Sequence, residues 1–338
     1  MTSQTAVITG GNTGLGYASA SALLASKESP AWHVVLASRN EQRARDAVTR
    51  LTEIAGTSGR VEAMALDLAS LESIRAFAGE LTDRVRTGAL PPLRGLVANA
   101  GVQSGTTPSV TADGFESTFG VNHLGHFLLV DLLRANLEPP ARIVVVSSGT
   151  HDPAQKAGVP VPAWNDPAEL ARGELGPSAA NDGPFATGQR RYSTSKLANI
   201  YFTYALARRL PDGVTANAFD PGLMPGTGLV REAVAPLRFI NSHVFPRMIP
   251  LLRRFFGRNV HTVEESGAAL ARLLTDPALA GTTGNYFEGR GEIRSSEESY
   301  DEARAEELWR ASEALTAQPD VAPRALATTC AGSSGRIA

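Results

Sequence analysis

Thr5-Ala6-Val7-Ile8-Thr9-Gly10-Gly11-Asn12-Thr13-Gly14-Leu15-Gly16 runs an apolar segment straight into a glycine-rich turn, and an amphipathic stretch follows. Read as strand, turn and helix, this order has a physical purpose. Glycines at the turn let backbone come close to a pyrophosphate and let the helix pack tightly on the sheet. The helix N-terminus then favours negative charge. Gly10, Asn12, Thr13, Gly14, Leu15 and Gly16 are therefore candidate phosphate-binding residues. A glycine-rich turn can also be only a turn, so the rest of the chain has to support the reading.

Working outward, short apolar runs alternate with amphipathic stretches, which predicts βα units and a parallel sheet. Strands are expected at about 5–9, 32–37, 60–65, 93–98, 141–147 and 213–219, with a last one near 283–287. Helices are expected near 14–27, 40–54, 70–87, 114–138 and 190–210. Arg142-Ile143-Val144-Val145-Val146 is apolar on both faces, as a buried parallel strand requires. The fold class is α/β: a doubly wound, mostly parallel sheet of the Rossmann type, one domain over 1–317. Residues 149–189, rich in Pro, Gly, Ala and Asn, read as an insertion with one short helix near 167–172. Residues 223–262 read as a substrate-lid segment, and 318–338 as a disordered tail.

Composition removes several function classes. The 338 residues carry a formal net charge of −2, so nothing global draws the chain to nucleic acid or an anionic membrane. Cys330 is the single cysteine, which excludes an intrachain disulfide and a cysteine-based metal site. His123 and His126 have the spacing of one helix face, but no HExxH surrounds them; a surface or core pair fits better than a metal site, and no metal is expected. No apolar run is long enough to span a bilayer and no signal-like segment opens the sequence, so a cytoplasmic protein without stable membrane insertion is expected.

The second expected strand ends Ser38-Arg39-Asn40, with no Asp or Glu to hold a ribose 2′-hydroxyl. Arg39 instead suits a 2′-phosphate, which favours NADPH/NADP over NAD. Asp67 and Leu68 follow the third strand, where the carboxylate can meet an adenine amino group, and Asn99-Ala100-Gly101 ends the fourth. Further on, Tyr192-Ser193-Thr194-Ser195-Lys196 places a phenol and an ammonium on one helix face. A free phenol has a pKa of about 10. A nearby ammonium favours phenolate and is expected to lower that value.

A Tyr-xxx-Lys pair alone says little, but its company is specific. Val146-Ser147-Ser148-Gly149, Asn122 in Val121-Asn122-His123-Leu124-Gly125-His126-Phe127, and Pro221-Gly222 stand in order at suitable strand ends. Together with the glycine loop and Asn99-Ala100-Gly101, these motifs resemble the short-chain dehydrogenase/reductase family over about residues 5–315. The resemblance implies Tyr192 as proton donor in reduction, and Lys196 as the group that tunes it and holds the nicotinamide ribose. It also implies Ser148 as a hydrogen-bond donor to the substrate oxygen, Asn122 as the holder of a relay water, and Pro221, Gly222, Met224 and Thr227 as the cover of the nicotinamide.

Within the family, Asp113-Gly114-Phe115-Glu116 and the Asn122-to-Phe127 stretch resemble the retinol dehydrogenase branch. The insertion, Thr227-to-Glu232 and Glu307-to-Glu313 resemble the light-dependent protochlorophyllide reductase branch. There are two departures: Leu223 stands where the latter branch carries an active-site cysteine, and the N-terminal membrane anchor of many retinol dehydrogenases is missing, so a soluble enzyme is expected. The apolar stretch 236–256 reads as a pocket wall or lid, with a membrane-surface helix or homo-oligomer contact as alternatives. The expected function is NADPH-linked reduction of a carbonyl, or oxidation of the alcohol, on a bulky, largely apolar or polycyclic small molecule. Reduction of a conjugated C=C bond is the alternative chemistry, and a non-catalytic dinucleotide-binding regulator the alternative class.

Overall fold

Strand β1 (Gln4–Thr9) is buried along nearly all of its length and takes a parallel neighbour on each side. These are β2 (Trp32–Ser38) and β4 (Leu93–Ala98). Outward from them lie β3 (Arg60–Ala65), β5 (Leu137–Val146), β6 (Val214–Asp220), β7 (Tyr286–Glu288) and β8 (Gly291–Ile293). The order β3-β2-β1-β4-β5-β6-β7-β8 reverses direction between β1 and β4, and only β8 runs antiparallel. Ligands of such sheets bind outside the carboxyl ends of the strands at this reversal. Thr9 and Ala98 end the two strands there, directly before the glycine loop and before Asn99.

The computed structural model describes residues 3–26, 31–56, 60–103, 105–224 and 259–317. Helices cover both faces of the sheet. On one side α1 (Gly14–Ala25), α2 (Glu41–Ala55) and α8 (Val263–Thr275) close a core around Ile8, Leu36, Val144 and Phe219. Gly267 allows α8 to lie against α1, because a Cβ there would stand 2.5 Å from that of Ala18. On the other side are α3 (Leu71–Arg86), α5 (Gly125–Leu133), α7 (Pro184–Ala207) and α9 (Glu302–Ala317), around Leu96, Phe127, Tyr201 and Trp309. The short helices α4 (Ser117–Phe119) and α6 (Pro167–Ala171) lead into these elements.

The doubly wound parallel sheet is as expected, with three differences of detail. Helix α7 begins at Pro184, so the last residues assigned to the insertion are its first turn; proline at the first helical positions loses no hydrogen bond. The helix expected over 114–138 is broken into α4, a π turn at Gly120–Leu124 and α5. Helices α8 and α9 and the antiparallel strand β8 were not anticipated. The capping box of Thr262 and Glu265 opens α8 and is a signal that the sequence does carry. The short helix foreseen near 167–172 is α6. Nearly all of the expected lid segment, and the expected tail, lie outside the described residues.

The π turn and α5 bury two histidines. His123 Nε2 meets the Ser312 hydroxyl at 2.8 Å among the rings of Phe119, Phe127 and Phe202. Burial pushes His123 down to about 3 and His126 down to about 4. Both folded values lie below the ordinary 6.5, so the unfolded chain binds more protons between those limits. Stability is therefore full above about pH 6.5 and falls as pH drops toward 4. At pH 5 each histidine costs about 2 kcal/mol. Thermal melts from pH 7 to 4.5 should show this decline, and His123→Phe, which suits the surrounding rings, should flatten it.

Candidate active site

The nucleotide side is organised by Thr9. Its Oγ1 accepts from the Asn99 amide at 2.8 Å and the Ala100 amide at 2.9 Å. The Asn99 side chain donates back to Thr9 O at 2.8 Å. Gly10 turns away at φ +64, a left-handed value that favours glycine. Gly16 brings α1 against this turn: a Cβ there would stand 2.6 Å from Gly10 O and 2.7 Å from Asn99 Nδ2. Thr13 is the N-cap of α1 but makes no side-chain cap, and the first turn of α1 carries no acid. The free amides of that turn and the close, side-chain-free backbone suit a pyrophosphate.

Farther along the same edge, Ser38 Oγ is buried at the end of β2 without a partner among the described residues, beside the exposed Arg39. A phosphate monoester could satisfy both groups. Asp67 Oδ1 accepts from the Ala69 amide at 3.0 Å, which orients the carboxylate at the end of β3, and Leu68 is buried. These residues fit an adenosine 2′-phosphate half.

The reactive side chains come from three elements. Ser148 is the second residue after β5, Tyr192 and Lys196 lie one turn apart on α7, and Asn122 sits in the π turn. The Ser148 hydroxyl acts on the Tyr192 phenol in the direction that favours its ionised form, so the two side chains stand near one another. Lys196 Nζ donates to Val146 O at 3.1 Å and lies 5.5 Å from the Tyr192 ring centroid. Ser147, on the other face of the strand end, donates to Lys196 O at 2.8 Å and thereby ties α7 to β5. A Cβ at Gly101 would stand 3.4 Å from Asn122 Oδ1 and 3.7 Å from Lys196 Nζ. Glycine keeps this space open, and it is where a ribose or a water can reach the ammonium.

Asn122 is more occupied than its expected role suggests. Its amide donates to Val102 O at 2.9 Å and to Ser195 Oγ at 3.0 Å, while Oδ1 accepts from the Val102 amide at 2.8 Å. The insertion grips α7 on both sides of Tyr192. Arg190 Nη2 pairs with Asp182 at 3.0 Å, Arg191 donates to Gly173 O at 2.9 Å, and Thr194 Oγ1 accepts from the Ala163 amide at 3.0 Å.

The charge balance at the phenol differs from the sequence expectation. Desolvation, then the negative charge of Asp220, raise Tyr192 well above the ordinary phenol value, against the effect of the Ser148 hydroxyl. Burial brings Lys196 down to about 8, with Asp220 opposing. Tyr192 therefore stands as a phenol, the proton-donating form.

Pro221, Gly222 and Met224 follow β6. Pro221 O accepts from Ser266 Oγ at 2.7 Å and Gly222 has φ +73. Thr227 lies outside the described residues. Sequence reasoning missed the role of His126. Its Nδ1 lies 3.1 Å from Asn122 O, an acceptor, so this nitrogen carries the proton and Nε2 accepts from the Thr9 hydroxyl at 2.9 Å. His126 thus joins the nucleotide turn to the π turn. Its spacing of four residues from Asn122 was the available signal.

The family profile described as short chain dehydrogenase matches residues 4–159. The protochlorophyllide reductase of Avena sativa is 36% identical over 328 residues, covering 91% of this chain and 98% of that protein. The chloroplastic protochlorophyllide reductase of Pisum sativum is 36% identical over 327 residues, covering 91% and 77%. The chain belongs to the short-chain dehydrogenase/reductase family. Within the family it falls in the protochlorophyllide reductase branch, and it is an NAD(P)-dependent oxidoreductase. Among solved structures, an uncharacterised Mycobacterium paratuberculosis protein is similar at TM-score 0.60 and 27% identity, covering 93% of both chains. The promiscuous reductase LugOII, which catalyses keto-reduction at C1 during lugdunomycin biosynthesis, shares the fold at TM-score 0.59 and 22% identity, over 85% of this chain and 96% of that one. No helix among the described residues is long and apolar enough to cross a membrane.

The cradle of this family member makes a specific demand. Gly16→Ala puts a methyl group into Gly10 O and the Asn99 amide, neither of which can move without shifting the Thr9 turn. NADPH titration should show at least tenfold weaker binding, about 1.4 kcal/mol. Gly79→Ala, on α3 with open space around the new methyl, should leave binding unchanged.

Proposed function

We propose that the chain is an NADPH-dependent reductase of a carbonyl on a bulky, largely apolar or polycyclic small molecule, able to oxidise the corresponding alcohol in reverse. The observation that carries this reading is the gathering of Ser148, at the carboxyl end of β5, with Tyr192 and Lys196 on α7, the ammonium 5.5 Å from the phenol ring centroid and 3.1 Å from Val146 O. Two hydroxyls so placed can both address one substrate oxygen. Ser148 donates a hydrogen bond that draws charge onto it, and Tyr192 transfers its proton to it. Bound NADPH supplies the hydride. Lys196 holds a positive charge beside the phenolate left behind, which costs less than leaving that anion alone in a buried site.

The glycine turn from Gly10 to Gly16 holds the pyrophosphate, Arg39 the 2′-phosphate, and Asp67 with Leu68 the adenine. Asn99, Ala100 and Gly101 line the path to the nicotinamide ribose, which Tyr192 and Lys196 receive. Pro221, Gly222 and Met224 cover the ring. Asn122 holds the relay water through its backbone oxygen, since its side chain is committed to Val102 and Ser195. Leu223 is 53% exposed beside this cover, which gives the substrate an apolar rim.

A second reading is reduction of a conjugated C=C bond, favoured by the relatives named protochlorophyllide reductase. There Tyr192 protonates carbon and Ser148 holds a conjugated carbonyl. Product analysis separates the two readings, by loss of a carbonyl or loss of an alkene. The proton donor is tested by a panel of variants on whichever polycyclic ketone is turned over. Tyr192→Phe should slow reduction about 10²–10⁴-fold with NADPH binding intact. Lys196→Met should slow turnover and also weaken NADPH binding, and Ser148→Ala should cost rate alone. Near-parent turnover by Tyr192→Phe would remove the phenol from the mechanism.

A further inference from the structure

Asp220 is a buried carboxylate that the chemistry above does not use. It ends β6 on the strand next to Ser148, where the Ser147 amide donates to Phe219 O at 2.8 Å. Only 1% of the residue is exposed. Oδ1 accepts from the Gly222 amide at 2.9 Å and Oδ2 from Asn259 Nδ2 at 2.9 Å. The same Oδ2 lies 3.0 Å from where a Cβ would stand on Gly149, so the carboxylate packs against the residue that follows Ser148.

Both hydrogen-bond donors are neutral, and Asp220 forms no ion pair among the described residues. A carboxylate buried in this way is costly unless a positive charge stands within reach. Lys196 brings a buried ammonium to the same strand ends: its Nζ sits on Val146 O, and Val146 is the register partner of Phe219, the residue before Asp220. That ammonium is 3% exposed, and its hydrogen bond to Val146 O is also to a neutral group.

We propose that Asp220 is a third charge of the active site, acting through Lys196: it keeps that buried ammonium charged, so that a positive charge stands beside Tyr192 when the phenol gives up its proton. This rests on the reading of Tyr192 and Lys196 as the proton-moving pair. The electrostatic directions agree. Burial lowers Lys196, and Asp220 raises it.

The other titratable groups around Asp220 do not replace it. From the turn after β5 come His151 and Asp152, and from β7 Tyr286 and Glu288, while His261 lies across Gly222. His151 gives its Nδ1 proton to Ser148 O at 2.7 Å and accepts from the Ser296 amide at 3.0 Å. Burial keeps it neutral by lowering its pKa, Tyr286 is raised well above the ordinary phenol value, and Glu288 is raised as well.

The test needs no substrate. Lys27, Lys156 and Lys196 are the only lysines of the chain, so 13C-lysine labelling of the whole protein gives three side-chain Cε signals to titrate by NMR. Lys196→Met assigns one of them. In the parent, Lys196 should titrate near 8. Asp220→Asn keeps the shape and can fold, because Asn259 Oδ1 is buried without a partner among the described residues and a turn of that amide would accept from the new one. This variant should lower the Lys196 value by about one unit, a tenfold shift, and leave the other two lysines in place. Asp220→Ser, which can still accept from the Gly222 amide, should do the same if the first variant does not fold, and Asp220→Glu should stay near the parent.

An unchanged Lys196 titration in a folded, charge-removing variant overturns the proposal. That failure is distinct from failure of the functional reading. The latter shows as retained turnover in Tyr192→Phe, whatever the lysine titration does.

Discussion

The hydroxyl of Thr9 is the junction on which the site depends. It receives the amides of Asn99 and Ala100 from β4 and gives its own proton to His126, which in turn fixes the backbone oxygen of Asn122. One buried atom thus sets the spacing of the glycine turn, the Asn99-Ala100-Gly101 segment and the π turn. Buried polar groups in such a chain each satisfy the next, and removing one leaves the others unpaired in a low-dielectric interior. The neutral state of His126 belongs to this arrangement, since only a neutral ring can donate through Nδ1 and accept through Nε2.

From this junction the two halves of the site diverge in character. The nucleotide half is backbone: glycines at 10 and 16, uncapped amides of α1, and little side chain to intrude. The reacting half is side chain, carried by α7 and held in place at neighbouring positions. Ser147 ties α7 to β5, and Arg190, Arg191 and Thr194 tie it to the insertion. The insertion therefore braces the turn of helix that presents Tyr192. Helix α9 packs on the far side of α7, with Trp309 stacked on Phe202.

Much of this was legible in the sequence, for physical reasons that differ from residue to residue. The strand–glycine–helix order at Thr5–Gly16 and the apolar run at Arg142–Val146 report local geometry, and they lie where they were expected. The one-turn spacing of Tyr192 and Lys196 also survives, because a regular helix preserves it. The π turn at Gly120–Leu124 was hidden, since its wider hydrogen bonding leaves no distinct period in five residues. The start of α7 was hidden by Pro184, which reads equally as loop or as first turn. The sign of the shift at Tyr192 could not be read either. It is decided by burial and by Asp220, a residue 28 positions downstream that the sheet order alone brings near.

The central claim is that one nucleotide spans the reversal between β1 and β4, with its ends on Arg39 and Lys196. A crystal structure of the protein with NADP⁺ tests it most directly. The account predicts the pyrophosphate on the amides at Gly14–Gly16, the 2′-phosphate between Ser38 and Arg39, and the nicotinamide ribose in the space beside Gly101 within reach of Lys196 Nζ. A cofactor bound away from the β1–β4 edge, or a ribose that leaves Lys196 without a contact, would contradict it.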